Sequence, residues 1–347
     1  MSGAKIGSSL RIRLPDRALV TDGAALQVQD DNEQYTTLSV SSQKHIGVNF
    51  TTAEMTLSLD DFADRVLKPR ISQLAASIDA DVANAYKDMF QSVGTPGTTP
   101  STSLVLLQAQ QKLNESAAGM NPRYATVNPA ANAGLVEGMK GFFNPTGTIS
   151  RQFKTGMMGE GVLGFDEVSM SQSIKNHTTG DWGTTITVTS TVSTQGSTSL
   201  PISFTGSSKT WAIGDVFTVD SVYAVNPQTR ESTGSLQQFV VTAAGSGSST
   251  ATLTVSPPMY TSGQALATIN AFPQAGATVT MLGSANTAYP QNLVYHKDAI
   301  TFATADLLMP QGVDMAARKN HNGISMRIVR QYDINNDRMP CRADILY

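Results

Sequence analysis

Few residues in this chain of 347 stand at spacings that could do chemistry. Gly159-Glu-Gly161-Val-Leu-Gly164 has the spacing of a dinucleotide-binding loop. Such a loop works when a strand delivers it and a helix N-terminus receives the phosphates on free N–H groups. Here Phe165-Asp-Glu-Val168 follows, which reads as a strand, so the glycines are expected to make a loop and no more. Asp333-Ile-Asn335-Asn-Asp337 matches the first half of a calcium loop, and Asp344 falls at its twelfth position. Arg338 stands where that loop needs a glycine, and Met339-Pro340 follows, so a turn between the last two strands is the expectation.

The four histidines, His45, His177, His296 and His321, have no ligand spacing and are expected at the surface or in hydrogen bonds. Asn176-His-Thr178 is a formal glycosylation triplet, which means little without a secretory signal. There is no phosphate-cradling G-x-x-x-x-G-K-[ST] loop and no G-x-S-x-G elbow, and no serine can be nominated as a nucleophile because a triad is defined by geometry. We expect neither catalysis nor a cofactor nor a metal. The residues left are charges: Arg11 and Arg13 on one side of an alternating strand, and Asp30, Asp31 and Glu33 of opposite sign. Surface charges on a solvated hairpin and an arm reaching a neighbour are equally open readings.

The elements that must hold these residues read as α+β. Leu10, Ile12 and Leu14 alternate with Arg11 and Arg13, and a second alternating stretch between about Ala25 and Thr52 reads as a long β-hairpin or β-loop with a turn at Ser42-Gln43-Lys44. From Ser58, a capping-box-like start, the period changes to three and four. Ile71, Leu74, Ala75, Ile78, Val82, Ala85 and Met89 then make the strongest helix, over 69–90. Further helices are expected over 101–118 and from Asn128-Pro129, a cap with a permitted first-turn proline, with a strand over 123–127 between them. A Ser/Thr/Gly-dense stretch from His177 to Met281 holds short strands at 184–192, 214–223, 237–242 and 251–255, the pattern of a small antiparallel barrel or sandwich inserted into another body. Strands at 293–303, 324–333 and 341–347 return to that body.

A net charge of −3 argues against avid non-specific nucleic-acid binding, and no apolar run reaches the roughly 18 residues of a membrane-spanning helix. The lone Cys341 cannot form an internal disulfide and fits a reducing site of synthesis, so a soluble protein made in the cytoplasm is expected.

Several segments stand out in order: Lys5-Ile-Gly-Ser-Ser-Leu-Arg-Ile-Arg-Leu-Pro15, Leu57-Ser-Leu-Asp-Asp-Phe62 with Leu67-Lys-Pro69, and Val93-Gly-Thr-Pro-Gly97. Gly214-Asp-Val-Phe-Thr218 with Val225-Asn-Pro227, Leu236-Gln-Gln-Phe-Val-Val241 and Ile324-Ser-Met-Arg-Ile-Val-Arg330 through Asp344-Ile-Leu-Tyr347 complete the set. Together they resemble the major coat proteins of short-tailed bacteriophages. The resemblance implies the tailed-phage capsid fold of the Hong Kong ninety-seven type with an inserted antiparallel β-barrel. The hairpin over 36–50 would be its extended loop and 69–90 its spine helix.

The divisions it implies are an N-terminal strand and extended loop over 1–56, spine helix and peripheral domain over 57–125, the first part of an axial domain over 126–176, the barrel over 177–283, and closing axial and peripheral strands over 284–347. It implies a subunit that self-assembles into an icosahedral head with a scaffolding protein and a portal protein, without a membrane, and encloses double-stranded DNA without reading its bases. Assembly would take place in the host bacterial cytoplasm and end in the virion capsid. Arg11, Arg13, Asp30, Asp31 and Glu33 would then be contacts between subunits. The family carries an arm and helix ahead of the matched start, where here only Met1-Ser-Gly precedes Ala4, so a shortened or different start is expected. The alternative class is a phage tail or surface receptor-binding β protein, which the Ser/Thr/Gly-rich stretch also suits and the long helix opposes.

Overall fold

Alternation of apolar and polar side chains builds most of this molecule, and helical spacing the rest. The computed structural model describes residues 9–21, 23–28, 33–51, 68–139, 159–321 and 324–347. In chain order the elements are β1 (Ser9–Arg13), β2 (Tyr35–Ser39), β3 (Gln43–Val48), α1 (Lys68–Val82) continued by a 3-10 turn (Ala83–Asp88), α2 (Ser103–Glu115), β4 (Arg123–Val127) and α3 (Pro129–Gly138). Then come β5 (Gly159–Val162), β6 (Phe165–Met170), β7 (Asn176–Thr178), β8 (Ile186–Val188), β9 (Ser197–Phe204), β10 (Lys209–Trp211), β11 (Val216–Val225) and β12 (Ser232–Val241). The chain closes with β13 (Gly245–Gly247), β14 (Thr250–Met259), β15 (Val279–Met281), β16 (Ala288–Pro290), β17 (Leu293–His296), β18 (Met315–His321), β19 (Ile324–Arg330) and β20 (Cys341–Leu346). Two units result, one of residues 1–16, 22–82 and 301–347, the other of 17–21 and 83–300.

In the first unit β18-β19-β20-β3 form an antiparallel sheet, and Leu74 and Ile78 of α1 pack on Ile345, Ile46, Met326 and Tyr347. Among the described residues β1 and β2 pair only with each other, Leu10 opposite Leu38 and Arg13 opposite Tyr35. The expected hairpin over 36–50 therefore does not form. β2 turns back to β1, and β3 pairs with the closing strand, His45 opposite Asp344. The residues read as its turn anchor the chain end instead: Ser41 and Ser42 donate to the Tyr347 carbonyl, and Tyr347 N–H donates to Ser42. Pairing with apolar β20 covers Ile46 and Val48, which pairing with the exposed β2 would leave wet.

The helix expected over 69–90 is α only to Val82. Its last turns tighten, and the 3-10 period puts Ala83 and Tyr86 on one buried side. The start read from Ser58 lies outside the described residues.

In the second unit six strands run β15-β11-β12-β14-β9-β8, and a bridge between Thr187 and Thr278 nearly closes the sheet. Period-two alternation sends Phe217, Val219, Phe239 and Val241 inward with Ile202 and Ile269, all essentially without solvent contact. Phe217 and Phe239 face each other across β11 and β12, their rings stacked 5.7 Å apart. Sequence reading finds four of these six strands but misses the three-residue β15 and β9, whose polar run contains Pro201. In the same unit α3 lies on the sheet β17-β4-β6-β5, burying Ala131 and Leu135 against Ala125, Val127, Phe165 and Val168. Asn128 caps α3 as read, its side chain accepting from Ala131 N–H at 2.8 Å. α3 approaches the loop before α2 backbone to backbone, since a Cβ on Gly138 would stand 1.8 Å from the Ser101 carbonyl oxygen.

Removing the Phe217 ring leaves a cavity opposite Phe239. Phe217→Ala is expected to destabilise this unit by ~3–5 kcal/mol in urea unfolding followed by Trp182 and Trp211 fluorescence. A loss below about 1 kcal/mol would show that the stacked pair is not central to this core.

Candidate functional site

The five charges singled out from sequence divide in the structure. Arg13 donates to Glu33 at 2.9 Å, with both side chains largely exposed, and the Arg11 guanidinium lies 4.4 Å above the Tyr35 ring. Asp30 and Asp31 lie outside the described residues. Exposed ion pairs of this kind contribute only ~0–1 kcal/mol. What surrounds them is more telling: Leu10 is 62% exposed, Leu26 89% and Val28 83%, with Leu14, Val20 and Tyr35 also exposed.

The strongest polar constellation is one that sequence reading did not assemble. Asp215 is buried where the chain enters the β-rich insert. It accepts hydrogen bonds from His177 Nε2 (2.9 Å), Trp182 Nε1 (2.9 Å), Ala212 N–H (2.8 Å) and Gly180 N–H (3.2 Å). An ionised carboxylate only accepts, so Nε2 of His177 carries a proton, and Nδ1 lies within hydrogen-bond distance of the Tyr86 hydroxyl at 3.3 Å. The order hydroxyl, imidazole, carboxylate is that of a nucleophile relay. Burial, then the Asp215 charge, push the Tyr86 pKa up, so its hydroxyl stays protonated. All three groups are buried, and the cluster fastens rather than reacts. Its one sequence signal is Gly214, at φ +100°, where a Cβ would come within 3.2 Å of both His177 and Tyr86.

The first unit has its own buried carboxylate. Asp344 is without solvent contact and accepts from Arg327 (2.8 Å), Arg342 (2.6 Å) and Gln43 (3.3 Å). Burial alone would raise its pKa, but the hydrogen bonds and charges of the two arginines outweigh it and hold the carboxyl below its usual range. Nearby Lys44 meets Asp81 at 2.5 Å and Ser77 Oγ at 2.8 Å, and the Tyr347 hydroxyl also donates to Asp81.

Asp344 therefore faces arginines, not the loop whose twelfth position it occupies. That loop is a turn, as read: Asp333 accepts from Asn335 N–H (3.0 Å) and Asn336 Nδ2 (2.7 Å). Among the described residues no three His, Cys, Asp or Glu side chains converge as metal ligands. The glycine pattern at 159–164 is the β5–β6 hairpin, turning at Leu163 (φ 52°) and Gly164 (φ 77°). His296 accepts from Asp298 N–H, His45 is exposed on β3, and Cys341 is buried in β20, where burial pushes its thiol pKa up.

The family model described as P22 coat protein, gene protein 5, matches residues 4–347. The chain belongs to the P22 coat protein family. It is the major capsid protein of a phage head. A capsid structure from cyanophage P-SCSP1u is 12% identical over 72% of this chain and 81% of that one, at a TM-score of 0.36. A structure from Mycobacterium phage Che8 is 14% identical over 73% and 83%, at 0.40, and the mature capsid of bacteriophage PhiM1 is 10% identical over 81% and 83%, at 0.35. These likenesses are loose, and membership rests on the family model. No curated protein matches the chain.

For this coat protein, two outcomes follow from the carboxylates. Asp215→Ala leaves buried donors on His177, Trp182 and Ala212 unmet and is expected to cost ~3–5 kcal/mol of unfolding free energy. For Asp344, a depressed folded pKa means stability that is present above the unfolded value and lost as pH falls through the folded one. The stability advantage of the wild type over Asp344→Asn should be constant at neutral pH and shrink below about pH 4, read from urea midpoints across pH. An advantage that grows on acidification would contradict the assignment.

Proposed function

We propose that copies of this coat protein self-assemble into an icosahedral head of the Hong Kong ninety-seven type around a scaffolding protein, with a portal protein, in the host cytoplasm. The finished shell encloses double-stranded DNA without base-specific contact. The subunit's role is structural, with no catalytic step. In this reading α1 is the spine helix, the nearly closed six-stranded sheet is the inserted barrel, and the extended loop is the β1–β2 ribbon with the connection from Leu14 to Gln34.

The observation that carries the reading is the ribbon. Two strands without a third are marginal in water, and this pair shows Leu10, Leu14 and Tyr35 to solvent. A second copy is the surface that would cover them, and interfaces between identical subunits are the default of symmetric assemblies. Arg11, Arg13 and Glu33 frame that apolar surface and would register neighbours more than bind them. Asp30 and Asp31 complete the proposed set.

The double variant Leu10→Asp and Leu14→Asp tests this. Its urea midpoint should stay within ~0.5 kcal/mol of wild type, because both side chains are exposed. In sedimentation velocity it should remain a subunit under conditions where wild type forms shells. Normal shells from the variant would overturn the ribbon's role.

A further inference from the structure

Residues 17–21 group with the β-rich unit, although the chain on either side of them belongs to the other. They lie in the connection between β1 and β2, which is longer than the ~12–15 residues at which structureless loops become uncommon. The tip of the β11–β12 hairpin is one of their anchors. There Asn226 Oδ1 accepts from the N–H groups of Gln228 (2.9 Å) and Thr229 (3.2 Å), an Asx turn that stiffens the tip. Arg230 follows in the left-handed region at φ 59°, its N–H donating to the Asn226 carbonyl at 2.8 Å. That backbone aims its guanidinium at the chain before it, and Nη2 donates to the Ala18 carbonyl. Arg17 lines a cleft of ≈ 230 Å³ together with Phe90, Lys112, Pro227 and Gln238.

We infer that the β11–β12 hairpin is a latch, with Arg230 as its positioning residue, that restrains the Arg17–Thr21 strap in the free subunit until assembly releases it. Two features make the latch releasable. Arg230 Nε is buried and meets no acceptor among the described residues, so the guanidinium is only partly satisfied and its net hold is small. The bond is also to a main-chain carbonyl, which the strap keeps wherever it goes, so letting go strands no side chain. A strap held within its own subunit is not free to meet a second copy. Release therefore couples the insert to the arm, and only this last step rests on the shell reading.

Trypsin reads the strap directly, because it cuts the Arg17–Ala18 bond, while the Arg13–Leu14 bond in the same chain serves as control. Arg230→Asn removes the guanidinium and tolerates the left-handed backbone. Unassembled Arg230→Asn should be cut after Arg17 about tenfold faster than wild type, since cleavage follows the open population. Cutting after Arg13 and the tryptophan-fluorescence unfolding midpoint should not change, and Arg230→Lys should restore part of the protection. With scaffolding protein, light scattering should show a shorter assembly lag for Arg230→Asn. Equal cutting after Arg17 in wild type and Arg230→Asn would overturn the latch whether or not shells form. Faster cutting with a longer lag would overturn its restraining role.

Discussion

A carboxylate taken out of water must find donors, and in the β-rich unit Asp215 does so with main-chain and side-chain groups from three separate segments. Asp215 has four different donors within 3.2 Å: His177 in β7, the loop at Gly180 and Trp182, and Ala212 ahead of β11. Through His177 it also reaches Tyr86 on the 3-10 turn. Those residues come from the 3-10 turn after α1, from the chain entering the insert and from the turn ahead of β11. The charge therefore ties together the place where the insert begins. Burying it without those partners would cost several kcal/mol, so its neighbours are not free to vary independently.

The first unit repeats the solution with different chemistry. Asp344 is neutralised by two arginines on adjacent strands, and Lys44, Asp81 and Tyr347 tie the edge strand, the helix and the chain end together. Each unit thus meets its buried carboxylate with donors from within that unit. The β1–β2 ribbon is the exception, with apolar side chains left to solvent. For a subunit whose work is to meet copies of itself, rigid units with an unfinished arm are the economical arrangement, since the free energy of the contact appears only when a neighbour supplies it.

The sequence made local elements legible where local rules decide them. Asn128-Pro129 caps α3, the helical spacing of Leu74 and Ile78 finds α1, and alternation finds β11 and β12. It failed where distant residues decide. β3 looks like the second half of a hairpin until β20, some three hundred residues later, offers a better apolar face. β18 is a charged edge strand without alternation, so nothing in its sequence announces it. Asp215 was read as part of a strand, because its donors His177 and Trp182 lie over thirty residues away. Of the five charges expected as subunit contacts, Arg13 and Glu33 meet within the chain.

The most direct measurement is electron microscopy with light-scattering mass on the purified chain, alone and with scaffolding protein added. The account predicts closed shells built of many copies. A small oligomer under every scaffolding condition would contradict it.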